Sequence, residues 1–321
     1  NDAVGALAKA MGIRQITAIT EDVPTDKRTR FDPVARQRQL VQEMEEHTQM
    51  LVRQSEKVRN KFFLYSVMPE LSGGQWSTAR RHPTHSAEKF AAGTGPFRQQ
   101  FWQEGMGRFD EAMSQFNARS RKVAESENWT AYDVVLDVFP ELFAWGVLTL
   151  PKDLKPGERR PVVVCQHGRS GVPRDTLDAN NPAYNNFAAR LAEQGFITFA
   201  PHNLYRGEDR YRWLSRKANS VKGSLFSFII AQHDQILRWL ATLPNVDARR
   251  IAFYGLSYGG ETAVRVPAIL ENYCLSICSG DFNQWTRKVA STEEPFSFMR
   301  TIEWEMPYWN LGNTFDYAEM S

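Results

Sequence analysis

Apolar and polar positions follow two different rhythms along the chain, and the change falls near residue 130. Before it, apolar residues are sparse and recur every three or four positions. Asp32-Pro33, a capping residue followed by proline at a first helical position, predicts the start of a long helix. Leu40, Met44, Leu51, Val58 and Phe62 recur at helical spacing or multiples of it, which predicts one buried stripe. A polar break at Ser72, Gly73, Gly74 and Gln75 follows, and a second helix is predicted from Pro96, burying Phe97, Phe101 and Trp102. Residues 1–128 read as a helical accessory region without a catalytic motif.

From residue 129 short apolar runs alternate with helical stretches. The runs at 132–139 and 142–150 predict an opening antiparallel pair. PVVVCQH (161–167) is almost continuously apolar, as expected of a strand covered on both faces. A helix is predicted over 184–194, a strand over 196–202, a long helix over 222–242, a strand over 251–256, a helix from Tyr258, and a strand over 274–280. This order predicts an α/β domain over 129–321: a mostly parallel sheet with helices on both faces, preceded by the helical N-terminal region.

Composition narrows the function classes. A 321-residue chain that is 42% hydrophobic can bury one large domain, or a catalytic domain and a smaller one. A net charge of +2 argues against nucleic acid or an acidic membrane surface as partner. No apolar run approaches the roughly 20 residues of a membrane helix, so a soluble protein is expected, with compartment and oligomeric state open. Cys165, Cys274 and Cys278 lack metal-ligand spacing, and Cys165 and Cys278 sit in apolar runs that predict burial. No metal and no cofactor is expected. The chain begins at Asn1 without a charged-then-apolar leader pattern, which fits a removed leader or an internal piece of something longer.

The chemistry concentrates in Gly255-Leu256-Ser257-Tyr258-Gly259-Gly260, a G-x-S-x-G pattern between an apolar strand and a helix. That context predicts a tight turn exposing the Ser257 hydroxyl as a nucleophile. Gln166-His167-Gly168-Arg169-Ser170-Gly171 follows the buried strand, where such an enzyme takes one oxyanion donor. The Arg169 N–H is the expected donor, with Ser170 as alternative, and the Tyr258 N–H is the second. His167 is expected to shape this loop and not to act as base.

The segments HGRSG (167–171), FAARLAEQGFITFAPHNLYRGEDR (187–210) and VDARRIAFYGLSYGG (246–260) together resemble the dienelactone hydrolase and acetyl xylan esterase branch of the α/β-hydrolase superfamily, over roughly 130–321. Prolyl-oligopeptidase-type peptidases share the Asp-x-x-Arg-Ile lead-in. Tyr258 departs from glucuronoyl esterases, which place arginine there, and Ser257 departs from the cysteine usual in dienelactone hydrolases proper. The resemblance implies a serine esterase acting on a small-molecule or carbohydrate ester. The alternatives are a prolyl-oligopeptidase-like peptidase and a non-catalytic hydrolase-like binding module.

The triad runs in the order serine, acid, histidine. All six histidines precede Ser257, so the resemblance places the catalytic histidine beyond Ser321. Asp281 is a candidate acid or, alternatively, a cap for the segment after it. His202 and Arg206 are candidate substrate-binding residues; Arg206 and its neighbours read equally as a solvated loop. Nine aromatic residues fall between 282 and 317. Trp285, Trp304 and Trp309 among them are expected either as a substrate wall or as a satellite core.

Overall fold

The computed structural model describes residues 2–15, 25, 27–67, 87–204, 210–280, 282–300 and 311–321. They fall into two compact units, 1–47 and 48–321. The first contains α1 (Asp2–Ala10) and the start of α2 (Pro33–Arg59). The α2 entry is as predicted: Asp32 Oδ1 accepts from the Val34 and Ala35 N–H groups at 2.9 and 3.2 Å.

The α2 stripe is not buried. Leu40, Met44, Leu51 and Val58 are 46%, 61%, 49% and 43% exposed. Within the second unit, α2 docks through a polar face instead. Gln49 Oε1 accepts from the Thr292 N–H and hydroxyl, both at 2.9 Å. The Arg59 guanidinium donates to the Gly312 carbonyl at 2.7 Å and to Ser55 Oγ at 2.9 Å. The bonds to Thr292 and Gly312 turn Gln49 and Arg59 inward, while Leu51 and Val58 of the same segment stay exposed.

The helix α3 (Leu64–Val67) precedes α4 (Ala87–Gln100), which carries Pro96 inside it and continues as a π-helical turn, Phe101–Met106. Pro96 therefore does not start the helix. Phe101 is buried, whereas Phe97 and Trp102 are only partly covered.

A seven-stranded sheet forms the body of the second unit. In chain order its strands are β1 (Arg119–Glu125), β2 (Trp129–Phe139), β3 (Leu142–Pro151), β4 (Arg160–Gln166), β5 (Ile197–Pro201), β6 (Val246–Leu256) and β7 (Leu275–Ser279), and in space β1-β2-β3-β5-β4-β6-β7. The β1–β2, β2–β3 and β3–β5 pairs are antiparallel; β4–β5, β4–β6 and β6–β7 are parallel. The sheet begins at residue 119, not after 128, and the division between compact units lies at 47/48. The residues of β1, RSRKVAE, are almost all exposed and show no alternation, so no apolar pattern announces the strand.

The helices α5 (Phe187–Glu193), α6 (Tyr211–Ser220), α7 (Leu225–Thr242) and α8 (Tyr258–Arg265) connect the strands, and the short α9 (Trp285–Ala290) and α10 (Tyr317–Met320) follow. The core forms where α7 lays Phe226, Ile229, Ile236 and Leu240 against Val164, Phe199 and Phe253 of the sheet. Each such side chain contributes roughly 1.5–3 kcal/mol by leaving water. Cys165 is buried as expected, but Cys278 is only half-buried and Cys274 is exposed. Among the described residues β7 pairs only with β6, and Leu275 and Ile277 on it are 54% and 46% exposed. No described helix is long and apolar enough to cross a membrane.

The strand order places a topological switch between β4 and β6. The chain leaves β4 toward β5 on one side and leaves β6 toward β7 on the other. Crevices at the carboxyl ends of such strands are where α/β sheets bind ligands.

Candidate active site

The G-x-S-x-G pattern lies at this switch. Ser257 links β6 to α8 with φ 57° and ψ −119°, a backbone region that a residue with a Cβ rarely occupies. Its N–H donates to the Ser279 carbonyl at the end of β7 (3.1 Å), and its carbonyl accepts from the Glu261 N–H (3.0 Å) as the helix begins. The side chain is exposed. The turn closes only because its flanks lack side chains. A Cβ at Gly255 would lie 1.9 Å from the Gly259 carbonyl oxygen, and one at Gly259 would lie 2.4 Å from that of Gln166. Neither distance is possible, so the first turn of α8 is seated directly on the end of β4.

The loop after β4 meets this turn. A Cβ at Gly168 would come within 3.2 Å of both the Ser257 Cβ and the Leu256 carbonyl. Gly168 is held on both sides. Its N–H donates to the buried Tyr184 hydroxyl at 3.0 Å, and its carbonyl accepts from the Gly171 N–H at 3.2 Å. The Gly168 amide is thus engaged, which leaves Arg169 and Ser170 as the residues at the loop's tip. Both are exposed, and Ser170 turns the chain with φ 62°. Tyr258 is the first residue of α8, where helix N–H groups have no intrahelical acceptor and the helix dipole is positive. Its side chain is 3% exposed, with its ring 5.9 Å from that of Phe226.

His167 is almost fully buried. Its Nε2 accepts from the Asn203 N–H at 3.0 Å, and its Nδ1 lies 2.8 Å from the Gly168 carbonyl. His202 follows β5, with its ring 5.6 Å from that of His167 and 5.2 Å from that of Trp145. His233 lies inside the core, bonded to the Tyr273 hydroxyl. Among the described residues no side chain hydrogen-bonds the Ser257 hydroxyl, and no group of three or more His, Cys, Asp or Glu is placed to hold a metal ion.

Trp285 does not wall a crevice. It is 2% exposed and packs in the core at the far end of α8, 5.5 Å from the Arg265 guanidinium. Phe315 and Tyr317 are buried with it, and all three belong to the main core and not to a separate satellite cluster. Asp281, Arg206, Trp304 and Trp309 lie outside the described residues. A cavity of about 620 Å³ opens between α4, the end of α8 and β7, lined by Phe62, Phe97, Val264, Leu275 and Met320 among others. Ser257, Tyr258 and Arg169 do not line it.

Sequence reasoning did not find the buried charges behind the turn. Glu261 and Arg265, one turn apart on α8, pair at 2.9 Å, and Lys288 of α9 reaches the other Glu261 oxygen at 3.3 Å. The Glu-x-x-x-Arg spacing on a helix was the available signal.

A search of curated proteins gave no match. Among solved structures, a candidate acetyl xylan esterase from Bacteroides fragilis superposes with a TM-score of 0.61 at 13% identity, covering 84% of this chain and 70% of that one. An acetyl xylan esterase from Paenibacillus sp. R4 gives a TM-score of 0.40 at 20% identity, covering 60% and 59%. Acetyl xylan esterase 1 from Thermoanaerobacterium sp. JW/SL YS485 gives 0.38 at 16%, covering 56% and 60%. The chain thus spans about three fifths of the length of the latter two. The chain carries an α/β-hydrolase fold, and its residues 146–273 match the dienelactone hydrolase family.

Proposed function

We propose that the chain is the catalytic part of a serine hydrolase of carboxylic esters, with Ser257 as nucleophile and a small-molecule or carbohydrate acyl ester as substrate. One observation carries this reading: an exposed serine held at φ 57° between a buried strand and a helix, beside the loop that ends β4. In the proposed reaction the Ser257 hydroxyl oxygen bonds to the ester carbonyl carbon, and a histidine takes its proton. The oxyanion lies against the N–H groups of Tyr258 and Arg169. The C–O bond to the alcohol breaks, the alcohol leaves with that proton, and water releases the acyl group by the same steps. The acid is proposed at Asp281 or after it, and the loop histidine, His167, is not assigned as the base because both of its ring nitrogens are engaged, by the Asn203 N–H and the Gly168 carbonyl.

A fluorophosphonate probe tests this in the complete protein. It should label Ser257, and Ser257→Ala should abolish labelling and lower p-nitrophenyl acetate turnover by about 10³ or more. Unchanged turnover in Ser257→Ala overturns the reading. Absence of both labelling and turnover in the folded parent protein favours a hydrolase-like binding module.

A further inference from the structure

His167 is bonded only as a neutral ring of one tautomer. The Asn203 N–H can only donate, so Nε2 must present its lone pair; the Gly168 carbonyl can only accept, so the proton sits on Nδ1. Asn203 continues the chain of bonds. Its Nδ2 donates to Thr262 Oγ1 at 2.9 Å, and Thr262 Oγ1 donates to the Tyr258 carbonyl at 2.8 Å. The hydroxyl proton is thereby committed, which fixes the Asn203 amide with its nitrogen toward Thr262. His167, Asn203 and Thr262 are each 1% exposed or less. The line of bonds runs Gly168, His167, Asn203, Thr262, Tyr258. It starts beside one proposed oxyanion donor, Arg169, and ends on the residue that supplies the other.

We infer that His167 is a positioning residue. As the Nδ1–H tautomer, with Asn203 and Thr262, it straps the loop after β4 to the first turn of α8 and so sets the spacing of the two oxyanion donors. This inference rests on the ester-hydrolase reading above. The hydrogen bonds of the strap do not involve the Ser257 hydroxyl. Its effect is geometric: donors act on a developing oxyanion only within about 2.7–3.1 Å of it. Because the donors it spaces act on charge that develops only in the transition state, displacing them lowers kcat and leaves substrate affinity nearly untouched.

The test uses the complete protein, with turnover normalised to the sites titrated by fluorophosphonate. Thr262→Val removes both bonds of the hydroxyl at nearly constant volume. His167→Asn keeps a donor near Gly168 and loses the acceptor for the Asn203 N–H. Each should lower kcat for p-nitrophenyl acetate about 10- to 100-fold, short of the ~10²–10³ lost with an oxyanion donor itself, while KM stays within about threefold. Thr262→Ser, which keeps the hydroxyl, should recover the rate. Long-range ¹H–¹⁵N NMR of the parent protein should show His167 neutral and protonated on Nδ1, a readout that needs no variant to fold. An Nε2-protonated ring, or Thr262→Val with the parent kcat, overturns the inference. If Ser257→Ala is inactive and Thr262→Val is unimpaired, the strap alone fails. If Ser257→Ala retains turnover, the ester reading fails and the inference falls with it.

Discussion

The Ser257 amide donates to the Ser279 carbonyl at 3.1 Å, so the turn that exposes the serine is fastened to the end of β7 as well as seated on β4. Strain at a positive φ persists only where the surroundings over-determine it. Here three strand ends do so, β6 by covalent continuity, β4 by backbone contact and β7 by this bond. The serine is thus held by the sheet and not by its loop.

The contact with β4 gives the first prediction. Gly259→Ala places a Cβ against the Gln166 and His167 carbonyls, 2.4 and 2.8 Å away, where only backbone can move. It should destabilise the protein by about 1–3 kcal/mol and slow fluorophosphonate labelling at least tenfold, the equivalent of roughly 1.4 kcal/mol in a barrier. Gly95→Ala within α4 meets nothing within 4 Å and has no positive φ. It should stabilise by about 0.5–1 kcal/mol. Urea unfolding of both variants checks the pair, and equal signs would contradict it.

Behind the turn, the buried Glu261 carboxylate faces two cations, Arg265 at 2.9 Å and Lys288 at 3.3 Å. The Arg265 guanidinium also lies 4.6 Å from the Phe226 ring and 5.5 Å from the rings of Trp285 and Tyr317. Glu261→Gln leaves both cations buried with one carboxylate fewer and should cost about 3–5 kcal/mol. Replacing Glu261 and Arg265 together by Met should cost less than Glu261→Gln alone. A double variant worse than the single one, by equilibrium unfolding, contradicts this account.

The three cysteines should separate by burial. Cys165 is fully covered, and burial pushes its thiol well above the ordinary range, which suppresses the reactive thiolate. Cys274 is exposed. Under native conditions a disulfide reagent should modify Cys274 in seconds to minutes and leave Cys165 intact until the protein unfolds. Peptide mapping that finds both modified at one rate would contradict the packing of β4.

Much of this arrangement was legible in the sequence where the signal is local. The runs that became β2 through β5 and the second half of β6 are apolar because they are buried, whereas the apolar run of β7 is largely exposed, and the glycines of 255–260 mark a turn that tolerates no side chain. What escaped depends on residues distant in sequence. The strap joins His167 to Asn203 and Asn203 to Thr262 across 36 and 59 positions, which no window reveals. The α2 stripe carried a correct helical period but the wrong face, because Gln49 and Arg59 dock the helix by hydrogen bonds to Thr292 and Gly312. Trp285 was equally consistent with a pocket wall and with core; its place against Arg265 decides for core.

The last prediction concerns acid stability. His233 is 2% exposed within α7, and its Nδ1 lies 2.8 Å from the Tyr273 hydroxyl. Its ring faces those of Phe253 and Tyr273, at 5.5 and 6.3 Å. Burial lowers its pKa from 6.5 to about 3, and burial raises the Tyr273 phenol well above its ordinary value. Both groups are therefore neutral in the folded protein over the whole range from about 3 to neutrality. The unfolded chain binds a proton at His233 once the pH drops below about 6.5, and the folded protein does not follow until about 3. Between these values the unfolded state holds more protons, so stability is greatest above 6.5 and declines as the pH falls, by up to about 1.4 kcal/mol per pH unit from this one group. Carboxylates held below their usual range by arginines, such as Glu158 beside Arg160, act mainly at lower pH, below about 4.5. The interval from about 5 to 6.5 is therefore the diagnostic one. The double variant His233→Phe with Tyr273→Phe removes the titrating ring without orphaning its partner. Its unfolding free energy in urea should vary less steeply with pH across that interval than that of the parent protein. Identical slopes would show that His233 is protonated in the folded protein, and that the α7–β6 core is more accessible to water than its packing indicates.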